Sequence, residues 1–267
     1  MGNTESVSLE VKDKVVQMTI RRPDALNAID YDVIRNVRAH LKSLREDLSE
    51  GTGYDKYRLL LIRGEGSAFV AGADIKVMHN CSWEEVAQFI RLGQRAMREL
   101  ESLALPVVAA VDGYAFGGGL ELALASDIIV CADKASLGQP EVNLGLIPGF
   151  GGTQRLIHRA GTGIAKRLIF TGETVSGQEA YELGVVDYLF SEGEFEAKLS
   201  EVVKTIASKS PLAIAAAKRA IEKGIDTQKT AGLTREVDEF LEVFSSKDCQ
   251  EGLAAFVEKR EVEFKGR

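Results

Sequence analysis

The sequence predicts an α/β fold, a core of strands interleaved with helices followed by a region of helices only. Three observations carry this. Short apolar or alternating runs bounded by turn residues recur through the first 190 residues. Amphipathic stretches at helical spacing lie between them. From about Ser191 the strand pattern stops and helical stretches fill the remainder. The expected division is a core over residues 1–190 and a helical region over 191–267, and a chain of 267 residues can bury a sizeable core without staples.

In chain order, "VSLEVKDKVVQMTI" reads as two alternating strands joined at Asp13. "RRPDALNAID" breaks the pattern and leads into a helix with Asp30 as N-cap and Val33, Val37, Leu41, Leu44 and Leu48 as its apolar stripe. "EGTG" ends that helix in a polar loop. "YRLLLIRG" is a buried strand, continuous in its apolar run. "SAFVAGADIKVM" is small and loop-like, and a helix follows from about Ser82 to Leu103. "PVVAAVDG" and "DIIVCAD" are further buried strands on either side of "GYAFGGGLELALASD". "ASLGQPEVNLGLIPGFGGTQRL" is too rich in Gly and Pro for a long regular element. "GEFEAKLSEVVKTIASKS", "PLAIAAAKRAIEKG", "TREVDEFLEVFSS" and "CQEGLAAFVEKR" are the closing helices. Strand-then-helix order recurs weakly, without a repeat at the level of residues.

Composition narrows the function. Lys and Arg number 33 against 40 Asp and Glu, a net charge of −7, which argues against nucleic acid as a partner because binding it needs a basic face. The most basic stretch, "AKRAIEKG", reads as a solvated helix face. Cys81, Cys131 and Cys249 form no CxxC pair, and with isolated His40, His79 and His158 they imply reduced thiols, a cytoplasmic setting and no metal site. No apolar run approaches the ~20 residues of a membrane span, so no membrane partner is expected. "MGNTESVSLEV" lacks signal-peptide features; Gly2 and Ser6 fit the loose myristoylation pattern, without the second signal that stable anchoring needs.

The chemistry is concentrated in three segments. In "FGGGLELALA", three glycines run into an apolar stretch that contains one carboxylate, Glu121. Bare backbone at a helix start offers unpaired N–H groups to an oxygen that gains negative charge. A tight strand-to-helix turn would use the same glycines. "FVAGADIK" follows a strand in the same way, so two loops can aim one N–H each at one carbonyl oxygen. "LGQPEVNLGLIPGFGG" adds Glu141, twenty residues after Glu121. Two glutamates at one substrate can divide acid and base work if their environments separate their pKa values, although Glu141 alone reads more readily as a solvated loop carboxylate. The apolar neighbours of Glu121 imply burial, which raises a carboxyl pKa.

Together, "RPDALNAI", "GSAFVAGADIK", "AAVDGYAFGGGLELALASDI", "LGQPEVNLGLIPGFGGTQRL", "GQEAYELGVVD" and "GLAAFVEKR" resemble the enoyl-CoA hydratase/isomerase (crotonase) family, over roughly residues 22 to 260. The resemblance implies a spiral of ββα units with a C-terminal helical trimerisation region, trimers that often pair into hexamers, an acyl-CoA thioester substrate and no separate cofactor, CoA being part of the substrate. It places the oxyanion hole on the Ala73 and Gly118 amides and the CoA site along Ala71, Ala73, Asp74, Ile75 and Lys76, with Ala25 and Leu26 near the pantetheine. It makes Glu121 and Glu141 the catalytic pair, with Gly149 positioning the reacting water. "RRP" stands where the family more often has Asn-Arg-Pro, and "SEGTGYDKY" is longer than the usual connection.

The implied reaction is hydration of a 2-enoyl-CoA to a 3-hydroxyacyl-CoA, with Glu141 donating at C2 and Glu121 activating water. Isomerases of the family keep the oxyanion hole but usually only the later glutamate, so both carboxylates together favour hydration. A branched-substrate hydratase of the methylglutaconyl type keeps both. A hydrolase would want a Ser/His/Asp set, and an inactive scaffold or an RNA-binding member is the remaining alternative.

Overall fold

The computed structural model describes residues 6–50, 53–79, 81–225 and 229–267. Gly2, with its myristoylation pattern, lies outside the described residues, as do positions 51 and 52 of the "EGTG" loop. Alternating side chains lay down the first hairpin. β1 (Val7–Lys12) pairs antiparallel with β2 (Val15–Ile20), and the turn residues Asp13 and Lys14 both have positive φ, 50° and 65°, as a two-residue hairpin loop demands. A short 3-10 turn at Pro23–Ala25 leads to α1 (Tyr31–Ser49), where the Asp30 side chain accepts from the Val33 amide at 2.9 Å. Val33, Val37, Leu41 and Leu44 are buried as their spacing requires.

After α2 (Gly53–Lys56) the chain repeats one pattern three times: a strand in a six-stranded sheet, a three-residue strand in a second sheet, then helix. The first turn is β3 (Leu59–Gly64), β4 (Ala68–Val70), α3 (Ile75–His79) and α4 (Trp83–Glu101), the last opened by a reciprocal Ser82–Glu85 capping box. The second is β5 (Val107–Val111), β6 (Tyr114–Phe116) and α5 (Gly118–Leu124). The third is β7 (Ile128–Ala132), β8 (Ser136–Gly138), a 3-10 turn at Pro140–Leu144 and α6 (Gly152–Thr171). β9 (Thr174–Ser176), α7 (Gly177–Glu182) and β10 (Tyr188–Phe190) close the two sheets. The larger sheet runs β1-β2-β3-β5-β7-β10, parallel from β2 onward; the smaller runs β4-β6-β8-β9. This is the expected spiral of ββα units.

Two expectations are corrected here. The loop-like "SAFVAGADIKVM" contains β4 and α3, and "GTQRL" already begins the 20-residue helix α6, which bends at Gly161 (φ 79°, ψ 164°).

The central strands are apolar without interruption because both faces of the sheet are covered. Leu60, Ile62, Val107, Ala109, Ile129 and Cys131 face the main core. Leu59, Leu61, Val108, Ala110, Val130 and Ala132 face α8 (Phe195–Ala207) through Phe195, Leu199 and Val203. The helical finish continues with α9 (Pro211–Ile225), α10 (Lys229–Phe244) and α11 (Lys247–Glu258). The buried Lys218 on α9 donates to Leu105 O at 3.1 Å and Asp127 Oδ2 at 2.8 Å, which ties that helix to the core. Among the described residues, no helix is long and apolar enough to cross a membrane.

Candidate active site

β4 and β6 lie side by side and parallel. Just past each, the chain turns through a glycine of positive φ, Gly72 (103°) and Gly117 (49°), and the next residues are Ala73 and Gly118. The carbonyl of each glycine is held: Gly72 O accepts from Ile29 N at 2.8 Å, and Gly117 O accepts from Glu121 N at 2.9 Å. In a trans peptide the following N–H points opposite to the carbonyl, so both bonds turn the Ala73 and Gly118 N–H groups the other way, and both residues line one cavity. Neither amide has an acceptor among the described residues. A Cβ on Gly118 would lie 3.5 Å from the Ala73 nitrogen, so the two donors are neighbours.

Glu121 stands one turn into α5 and is 1% exposed. Its Oε1 accepts from Phe150 N at 2.7 Å and Gly152 N at 2.6 Å, amides at the start of α6. Burial pushes its carboxyl above the usual range, while those amides and the Arg155 guanidinium pull it back. Arg155 is itself fixed, donating to Glu101 at 2.5 and 2.8 Å and to Phe150 O at 2.7 Å.

Glu141 sits in the 3-10 turn after β8. Burial holds its carboxyl up, to about 7, and the charge of Glu121 acts in the same direction. Gly117 is needed here for φ, and a Cβ on it would lie 2.8 Å from Glu141 Oε1, so that any side chain would displace the end of that carboxylate. Sequence reasoning missed the partner of this carboxylate. Gln139, 0% exposed, donates to Glu141 Oε1 at 2.9 Å and Oε2 at 3.1 Å with its amide nitrogen turned toward it, the orientation that the surrounding donors and acceptors require.

These groups share a cavity of about 420 Å³. Of the residues singled out from sequence, Ala71, Ala73, Ile75, Gly118, Glu121, Glu141 and Gly149 line it. Ala25, Leu26, Asp74 and Lys76 sit on adjoining segments: Leu26 O accepts from Ala71 N at 3.0 Å, Asp74 is paired with Arg22 at 3.0 Å, and Lys76 is exposed on α3. Phe116 and Leu144 belong to the wall, with Ile90, Leu146 and Ile147 supplying further apolar surface that the sequence did not place. Phe89 is buried behind Phe150, ring centroids 5.5 Å apart, and Trp83 is 77% exposed. A larger cavity of about 770 Å³ lies beyond Gln94 and Phe150, which line both. Most of its charges are paired, Arg155 with Glu101 and Lys218 with Asp127 within the lining and Arg159 with Asp187 beyond it, whereas the smaller cavity presents two carboxylates and two unengaged amides. Among the described residues, no group of three or more His, Cys, Asp or Glu side chains converges as metal ligands.

Known proteins resemble the chain throughout. The profile of the enoyl-CoA hydratase/isomerase family matches residues 10–267. A crotonyl-CoA hydratase of Syntrophomonas wolfei is 38% identical over 97% of this chain and 98% of its own length. A short-chain-enoyl-CoA hydratase of Clostridium acetobutylicum is 39% identical over 98% of both. The crystal structure of an enoyl-CoA hydratase from Bacillus anthracis superposes with a TM-score of 0.92 at 37% identity, covering 98% of this chain and all of that one.

Proposed function

The chain belongs to the enoyl-CoA hydratase/isomerase (crotonase) family, and from that membership we propose that it adds water across the 2,3 double bond of 2-enoyl-CoA thioesters, giving 3-hydroxyacyl-CoA. The observation that carries hydration over double-bond migration is the pair of carboxylates, Glu121 and Glu141, lining one cavity with the Ala73 and Gly118 amides.

The thioester oxygen accepts from Ala73 N–H and Gly118 N–H, which draws electrons from the double bond and makes C3 electrophilic. Those donors act most strongly when the oxygen carries the enolate charge, so they lower the barrier rather than only improve binding. Water lies between the carboxylates. Glu121, whose Oε1 accepts from two amides, takes a proton from water as the oxygen bonds to C3. Glu141, with its carboxyl raised to about 7, is the donor at C2. Glu121 gains one proton and Glu141 loses one, so a transfer between them restores the starting state. Gly149, in the wall of the cavity, helps seat the water. Ala71, Ile75 and the adjoining Ala25, Leu26, Asp74 and Lys76 carry the CoA portion.

The names of the two bacterial relatives, one acting on crotonyl-CoA and one on short-chain enoyl-CoA, make a short linear acyl group the substrate of choice. Loss of the enoyl thioester absorbance with crotonyl-CoA tests the activity, and Glu121→Gln and Glu141→Gln should each cut turnover sharply while CoA binding stays near normal. No absorbance loss at any chain length would refute the hydratase, and wild-type turnover in either variant would refute the paired mechanism. The helical region serves assembly into trimers or hexamers in this reading, supported by a stripe at helical spacing on α10, where Val237, Phe240, Leu241 and Phe244 are 55–66% exposed. Sedimentation of the intact protein tests it; a monomer would refute it. The setting is the cytoplasm, in keeping with three free cysteines.

A further inference from the structure

The geometry points to Arg22, paired with Asp74, as the positioning residue that holds the Ala73 amide in register with Gly118; this rests on the hydratase reading above. Arg22 Nη2 lies 3.0 Å from Asp74 Oδ2 and 3.2 Å from Asp30 Oδ2, and its Nη1 donates to Ala28 O. All three carboxylate and guanidinium groups are less than a quarter exposed. One guanidinium thus joins the helix cap at Asp30, the loop at 22–29 and the residue that directly follows Ala73.

The loop it braces is the one that aims the Ala73 N–H. Ile29 N donates to Gly72 O, Asp74 N donates to Ile29 O at 2.8 Å and Ala71 N donates to Leu26 O at 3.0 Å, so the 71–74 segment hangs on the 26–29 segment by three backbone bonds. That second segment is in an unfavourable conformation by itself, with Leu26 at φ 49° and Asn27 at φ 60°. It is held by the fully buried Asn27 side chain, which donates to Glu65 O at 2.9 Å and Ala68 O at 2.8 Å and accepts from Arg22 N at 2.8 Å. Arg22 closes this frame at both ends, through its own amide and through its guanidinium. A planar fork suits the task, since it reaches two carboxylates and a carbonyl at once, which a lysine ammonium on one stem does not. With the frame loosened, the Ala73 donor moves relative to Gly118 and the oxygen keeps one good hydrogen bond instead of two.

The test uses the intact enzyme after its hydration of crotonyl-CoA has been established, so that failure of the variants is not confused with failure of the hydratase reading. Arg22→Gln and Asp74→Asn should lower kcat about 10- to 100-fold, the range for weakening one oxyanion donor, with KM changed less than about threefold in Arg22→Gln, which leaves the CoA-carrying residues in place. A bound 2,4-dienoyl-CoA, whose absorbance moves to longer wavelength as its carbonyl is polarised, should show a smaller red shift in both. Arg22→Lys should recover only part of each. Asp30→Ser, which keeps a capping oxygen for α1 and leaves Arg22–Asp74 intact but removes the other carboxylate of the frame, should lower kcat and red shift by less than Asp74→Asn does. Should Arg22→Gln fail to fold, Asp74→Asn decides alone. Wild-type kcat and an undiminished red shift in folded Asp74→Asn would overturn the assignment.

Discussion

Gly119→Ala is the most demanding steric test of the site. Gly119 is the second residue of α5, and its backbone packs against the end of β4, so that a Cβ added there would lie 1.8 Å from Val70 O and 2.7 Å from Val70 C. Real Cβ contacts essentially never fall below 3.0 Å, so α5 and β4 must part by about 1.2 Å. Both sides of that contact are backbone, and no rotamer relieves it. Alanine would otherwise favour the helix by up to ~1 kcal/mol, whereas overpacking of this kind costs ~1–3 kcal/mol, so the net effect is destabilising. The displacement also falls between the two amides, because α5 carries Gly118 and β4 leads to Ala73. A misplacement of about 1 Å in a catalytic geometry can cost ~10²-fold in rate, and that is the expected loss in kcat for crotonyl-CoA hydration. The assay pairs the rate with a urea unfolding curve, using Gly163→Ala as the control. Gly163 lies in α6 with nothing within 4 Å of an added Cβ, so alanine there should be neutral or stabilising by up to ~1 kcal/mol with full activity. Wild-type turnover in Gly119→Ala would refute the argument that the close approach of these two backbones sets the donor spacing.

Other predictions rest on the carboxylates and on the tie to the C-terminal helices. Because the donor must be protonated and its carboxyl is raised to about 7, kcat/KM should fall about tenfold per unit above that pH, and a profile flat to pH 9 would contradict Glu141 as acid. Gln139→Ala removes the amide that favours ionised Glu141, so the alkaline limb should move to higher pH while kcat drops through loss of orientation; a limb that moves down would show that Gln139 does not donate to this carboxylate. Lys218→Met leaves Asp127 without its cation in a largely enclosed site and should cost on the order of 3–5 kcal/mol in chemical denaturation, with a value under ~1 kcal/mol counting against the pair as an anchor of α9.

What could be read from sequence followed the length of each signal. β3, β5 and β7 are continuous apolar runs between turn residues, and α1 announces itself through the Asp30 cap and its stripe, so all four appear where expected. β4, β6, β8 and β9 have three residues each, too few for a period-two pattern to emerge, and β4 carries a register irregularity besides. α6 was concealed by its glycines at 161 and 163 and by the Gly-Pro lead into it. In the site, the glycine loops and the apolar setting of Glu121 were legible because glycine before a buried carboxylate violates local preference. Gln139 was not, since a polar residue in a loop carries no mark of burial, and only the tertiary fold makes it 0% exposed. The apolar wall at Ile90, Leu146 and Ile147 was equally silent, for each is an unremarkable aliphatic until helix α4 and the 144–150 loop face one another.

Both amide donors emerge just beyond the ends of two adjacent parallel strands, β4 and β6. Neighbouring strands in any sheet stand ~4.8 Å apart. An oxygen that accepts two hydrogen bonds of ~2.9 Å along directions roughly 110–120° apart needs its nitrogens ~4.8–5.0 Å from each other. The pitch of ordinary β-structure therefore matches the width that the proposed anion cradle needs, and a chain that ends two such strands on permissive backbone inherits a caliper already set to one carbonyl oxygen.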